Sequence, residues 1–171
     1  MRSRTPVSVD EYLHTNYDPD CDYIDGAIVE RNVGELDHSD LQGEIVAYFR
    51  ARMRNRGVHA FPELRVQVAP KRFRIPDVCV VSGVKPSEQV LTIPPFIAIE
   101  ILSKDDRMSV MQERIDDNLK FGVSYVWVID PRAHRAWAYT KDGSHEARDG
   151  ILRTENPEIL LPLPEIFQAL Q

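Results

Sequence analysis

Cysteine is nearly absent from this 171-residue chain: only Cys21 and Cys79 occur. Two lone thiols build no disulfide framework and supply no zinc spacing, so a reducing, cytoplasmic setting is expected. Long apolar runs are missing too. Nothing approaches the roughly 18 residues that a membrane helix needs, and "MRSRTPVSVDEYL" has no apolar stretch behind its arginines, which excludes a signal peptide there. The eight glycines form no phosphate-cradling loop. No Ser/His/Asp arrangement is present, and His14, His59, His134 and His145 are scattered as surface residues would be. Without repeats, low-complexity segments or linkers, residues 1–171 are expected to form a single domain.

What is present is an ordinary globular composition, 43% hydrophobic and 28% charged, with a formal charge of −6. That sum hides an asymmetry. Residues 44–74 carry Arg50, Arg52, Arg54, Arg56, Arg65, Lys71, Arg72 and Arg74 against Glu44 and Glu63. The segment is therefore +6 and the remainder −12. Such a basic band is either a solvated face or a surface that meets phosphate.

Local signals give the order of elements. Ser8 caps a short helix in "SVDEYLHTN", and Asp25-Gly26 between two apolar runs marks a hairpin. Leu41, Ile45, Tyr48, Phe49, Arg52 and Met53 follow helical spacing up to Gly57. "VHAFPELRVQVAP" reads as one bent strand or two, "KRFR" as a turn or edge, and "IPDVCVV" and "FIAIEIL" as buried strands. Ser103 and Asp106 suggest a capping box for a helix running to Gly122, with Met108, Met111, Ile115 and Leu119 as its apolar stripe. "SYVWVID" and "RAWAYT" form a hairpin in which Trp127 and Trp137 are core or interface residues. A short strand, a proline-broken loop and a last helix follow. The order implies an α/β fold with a mixed central sheet flanked by helices. The length between "FIAIEIL" and "SYVWVID" fits a crossover between parallel strands.

Two acids sit where a strand should reject charge: Asp77 at the start of "DVCVV" and Glu100 between isoleucines in "FIAIEIL". If the strands are neighbours, both converge on one point. Paired hard oxygens suit Mg²⁺ or Mn²⁺, and Glu63 could join them. The chain after Glu100, "ILSKDDR", leads toward a helix N-terminus able to meet phosphate. Together these features describe metal-assisted phosphodiester hydrolysis. The alternative is internal ion pairing, with Arg65, Arg74 or Arg114 as partner.

The stretches "IPDVCVV", "PPFIAIEILSKDDR" and "GVSYVWVIDPRAHRAWAY", with "SVDEYL" before them and "LPEIF" after, resemble the Uma2 family within the PD-(D/E)XK nuclease superfamily. The resemblance implies a restriction endonuclease-like core, a divalent-metal site for Mg²⁺ or Mn²⁺, DNA as substrate and a homodimer. It implies that Asp77 and Glu100 bind the metal, that the Ile101 carbonyl can add a ligand, and that Glu63 and His38 match family positions. The superfamily's lysine two residues past the second acid is Leu102 here. The helix lysine common among Uma2-like proteins is Arg114, which will hardly deprotonate and so does not suit a general base. Lys104 is the other positive group, and His38, Lys104 and Arg74 are the candidate phosphate contacts. Because of Leu102 and Arg114, a catalytically weak module that binds nucleic acid or a protein partner is the alternative function.

Overall fold

The computed structural model describes residues 6–32 and 35–170. Ser8 accepts the amide of Glu11 at 3.1 Å and starts α1 (Val9–His14), whose Tyr12 is buried. Strands β1 (Cys21–Ile24) and β2 (Ala27–Glu30) pair antiparallel around Asp25 and Gly26, with φ values of 49° and 95°. That left-handed pair matches the twist of a two-residue hairpin. A Cβ on Gly26 would lie 2.8 Å from that of Pro6, so the position needs glycine twice over.

Helix α2 (Leu36–Arg52) buries Leu41, Ile45 and Phe49, and Met53 continues the stripe; Tyr48 is half-buried and Arg52 exposed. A 3₁₀ turn, Arg54–Arg56, ends at Gly57 in the left-handed region. The segment "VHAFPELRVQVAP" divides into β3 (Val58–Pro62) and β4 (Val66–Ala69), which join different sheets. In "KRFR" only Lys71 lies in a turn, and the rest is no edge. Its Arg72–Arg74 form β5, an interior strand of a four-stranded sheet ordered β2-β1-β5-β4. Charged residues survive inside this strand because acids meet them on both sides, as described below.

Next come β6 (Val78–Ser82), β7 (Ile97–Ile101), α3 (Met108–Phe121), β8 (Tyr125–Asp130), β9 (Arg135–Thr140) and β10 (Gly143–Glu146). The main sheet is ordered β10-β9-β8-β7-β6-β3. Only β7 and β8 run parallel in it, joined through α3, so the sheet is mixed and flanked by helices as expected. Strand β10 had no sequence signal. A hairpin of β11 (Ile151–Thr154) and β12 (Ile159–Pro162) and the short α4 (Leu163–Ile166) close the chain.

The sheet's two faces have separate cores, as strand alternation requires. Ile97, Ile99, Ile101, Val78, Val80 and Trp127 pack with the α2 stripe. Ala98, Val126 and Val128 pack with Met111 and Ile115 of α3. Helix α3 begins later than its capping signal suggests. Ser103 and Asp106 do bond, the Ser103 amide reaching Asp106 at 2.7 Å, but they close a turn ahead of the helix. Met108 is consequently exposed rather than part of the stripe. No helix among the described residues is long and apolar enough to cross a membrane.

Candidate active site

Strands β6 and β7 pair antiparallel with Val78 opposite Ile99 and Cys79 opposite Ala98. Asp77 stands just ahead of Val78 at the end of this pairing and Glu100 just after Ile99, so the two lie at the same end of the paired strands. Strand alternation turns Glu100 toward α3, where it meets Arg114, whereas the carboxylate of Asp77 turns to the Ile101 amide and to His38 of α2. Asp77 is 3% exposed and Glu100 1%. The pattern that marked these residues in the sequence therefore brings both acids to one place.

Their partners are unequal. Oδ1 of Asp77 accepts from an Arg31 guanidinium nitrogen at 2.6 Å, and Oδ2 accepts from the Ile101 amide at 2.7 Å. His38 Nε2 lies 3.2 Å from the same Oδ2. Burial pushes the Asp77 carboxyl upward, but the His38 bond, the Arg31 charge and the Ile101 amide together hold it below its ordinary range. Among the described residues Glu100 meets only Arg114, at 3.4 Å, and burial with the nearby Asp77 charge pushes it up to about 8 despite that guanidinium. His38 is driven down by desolvation, yet Asp77 lifts it above its usual value on balance.

Asp77 also anchors through its backbone. Its carbonyl accepts from Gln42 Nε2 at 2.8 Å and from the Glu63 amide at 3.1 Å. Glu63 adopts a left-handed backbone (φ 49°) and places its exposed carboxylate 3.4 Å from Arg31. Arg31 thus lies between Asp77 and Glu63. A cleft of about 380 Å³ opens onto this group, walled by Asp18, Asp20, Glu63 and Asp77 as well as Arg31 and His38.

Behind the cleft an alternating chain of charges crosses the interior. Arg114 Nε is 3.8 Å from Asp22, which accepts from Arg74 at 2.9 Å and from the Ile75 amide at 3.1 Å. Arg74 Nε in turn donates to Asp117 at 2.7 Å, and Arg72 reaches the same carboxylate at 2.7 Å. Arg74, at 1% exposure, is an interior ion-pair residue, which corrects its placement among phosphate contacts. Lys104 does not line the cleft; it is 60% exposed at the side chain and pairs with Glu35. The N-terminus of α3 begins seven positions past Ile101, so it does not follow Glu100 directly as the sequence suggested.

Sequence reasoning did not single out Arg31, Asp22 or Gln42. Asp22 did leave a signal, a carboxylate in the buried strand "CDYI", which is the kind of anomaly that exposed Asp77 and Glu100. Arg31 left none, since it stands in a polar link after a hairpin. Among the described residues no three His, Cys, Asp or Glu side chains group as a ready-made metal site.

Known proteins agree with this architecture. The family Uma2, described as "Putative restriction endonuclease", matches residues 9–171. A crystal structure described as "a putative nuclease belonging to DUF820", from Anabaena variabilis, superposes with a TM-score of 0.81 at 24% identity. The match covers 97% of this chain and 100% of that one, and at such identity it speaks for the fold. Among curated proteins no match was found.

Proposed function

The chain belongs to the Uma2 family, and from that premise we propose that it is a single-domain endonuclease hydrolysing phosphodiester bonds in DNA with a divalent cation, Mg²⁺ or Mn²⁺. The observation that carries this reading is the buried pair of acids at one end of β6 and β7, Asp77 on the wall of an acidic cleft and Glu100 buried behind it. Magnesium keeps several waters and needs only one or two carboxylates besides the substrate phosphate. Asp77 and Glu100, with Glu63 at the rim, are donors of that chemistry, so the residues present fit the ion. The fit has two conditions: Arg31 must yield Oδ1 of Asp77, and Glu100 must give up the proton that its burial favours.

When bound, the cation supplies Lewis acidity toward the phosphoryl group and lowers the pKa of an attacking water. The chain's own residues do the rest. The Ile101 amide and His38 hold Asp77 by Oδ2. His38 carries its ring proton at the cleft, where it can be exchanged with solvent. Arg114 stays charged and steadies Glu100 rather than acting as a base. An acidic cleft repels a polyanion, which is a further reason for the cation. Family likeness and the thiol content favour a cytoplasmic homodimer.

Nicking of supercoiled plasmid over a series of divalent ions tests the proposal. The wild type should cleave with Mg²⁺ or Mn²⁺, and Asp77→Ala should lower the rate by about 100-fold or more. Cleavage that survives Asp77→Ala undiminished would place the chemistry elsewhere. A second reading, a nuclease-fold module that binds without cutting, is favoured by one observation: each acid already meets a guanidinium. It becomes the better description if the plasmid stays intact with every ion.

A further inference from the structure

The basic band of residues 44–74 does not survive folding as one surface. Arg52 pairs with Glu165, Arg65 with Asp20, Arg72 with Asp117 and Arg74 with Asp22. Arg56 donates to the Glu158 carbonyl. Arg50 and Arg54 behave differently. They are exposed and, with Lys85 from the loop after β6, they line one groove of about 230 Å³ beside β3. None of the three makes an ion pair among the described residues, although the chain as a whole is acidic.

Strand β3 is an edge of the main sheet, paired only with β6. The half-buried rings of His59 and Phe61 join the groove. The helix dipole tolerates Arg50 at the end of α2, but nothing in the fold requires three uncompensated cations to gather here. Such a cluster lowers the free energy of an anion and raises its local concentration.

We infer that this groove is a second binding site, a track for the phosphodiester backbone of nucleic acid leading to the acidic cleft. The inference rests on the nuclease reading and gives it the attraction it otherwise lacks. The cleft is walled by carboxylates, so a polyanion must be held from somewhere else on the surface. Strand β3 links the two places, since it runs from the groove to Glu63 at the rim. The groove is lined along β3 from Val58 to Phe61, and Glu63 at the cleft rim stands two positions beyond, so the two places adjoin along one strand. One duplex can therefore lie on both. The rings of His59 and Phe61 offer aromatic surface to a base if the strand is single.

Fluorescence anisotropy with a labelled duplex in EDTA tests this without relying on cleavage. Each phosphate-contacting cation contributes about 0.9 to the slope of log affinity against log salt. The Arg50→Ala, Arg54→Ala, Lys85→Ala triple variant should weaken binding at least tenfold at low salt and reduce that slope by about 2.7. Lys85→Glu alone lies on an exposed loop, so it should weaken binding with its circular dichroism unchanged. Asp77→Asn should bind as well as the wild type or better. Unchanged affinity and slope in the triple variant would overturn the groove while leaving the nuclease reading intact. Wild-type protein that binds neither duplex nor single strand in EDTA would also overturn the groove, whereas the nuclease reading is overturned only by the plasmid-nicking test. Displacement by polyglutamate as readily as by unlabelled DNA would show a general polyanion site and overturn the nucleic-acid assignment.

Discussion

Arg31 holds the balance at Asp77. Its guanidinium takes Oδ1 at 2.6 Å and extends toward Glu63, so a divalent cation and this side chain compete for one oxygen. Arg31→Gln should therefore raise Mn²⁺ affinity, by about tenfold for ~1.4 kcal/mol of lost competition, as read by titration calorimetry. Because removing one member of a buried pair leaves the other exposed to its desolvation cost, the same variant should gain more thermal stability from Mn²⁺ than the wild type does. Equal affinities, with Asp77→Asn still abolishing uptake, would mean that Arg31 and the metal do not share the site. A second residue-scale expectation concerns the thiols. Cys79 is fully buried, and burial pushes its proton affinity far up; Cys21 is buried and shifted in the same direction. Thiolate is the reactive form, so neither should react with a disulfide reagent in native protein, while both should react in urea. Prompt labelling of one thiol in native protein would contradict the packing of its strand.

At the scale of elements, β5 shows where a sequence stops being readable. The hairpin at Asp25-Gly26 and the β7–α3–β8 unit announce themselves because their signals are local: a turn dipeptide, two apolar runs and a helical stripe between them. Strand β5 has only three residues, two of them arginines. What makes it a strand lies far off in the chain, in Asp22 of β1 and in Asp117 and Glu113 of α3. The same reasoning applies to the site. Asp77 and Glu100 were visible as charges among apolar neighbours, whereas Arg31 is defined only by the acids that it meets. The α3 start was misplaced because Ser103 and Asp106 form the capping hydrogen bond without the helix that usually follows. If paired charge holds the smaller sheet against α3, Asp22→Ala should be costly. It takes from buried Arg74 one of its carboxylate partners, leaving Asp117 and Glu113, and leaves the Ile75 amide without its acceptor. A loss of about 3–5 kcal/mol in urea unfolding is expected. A loss below about 1 kcal/mol would mean that Asp117 and Glu113 satisfy Arg74.

The whole molecule registers these charges in its response to pH. Glu100 has a proton affinity near 8 in the native protein against an ordinary 4.5, so the folded state binds that proton more tightly than the unfolded chain does. Its contribution is complete below about 4.5 and is lost as pH rises through about 8. His38 acts in the same direction. Raised above its ordinary 6.5 by Asp77, it stabilises the fold below that value and ceases to do so as pH climbs past its native value. Asp77, held below 3.8, works in the opposite sense: its contribution is present above that value and is lost as pH falls through its depressed one. Stability should therefore peak between the acid loss of Asp77 and the alkaline loss of Glu100 and His38. Melting temperature, measured in EDTA so that no cation screens the acids, should fall by several degrees between about pH 6 and about pH 8.5. Glu100→Gln removes the larger titrating group and keeps the shape, so it should flatten that decline and leave only the smaller slope from His38. A melting temperature that stays level over this interval in the wild type, or a decline that Glu100→Gln leaves untouched, would show that Glu100 keeps its charge beside Asp77. Arg114 would then be neutralising it far more closely than its 3.4 Å contact suggests.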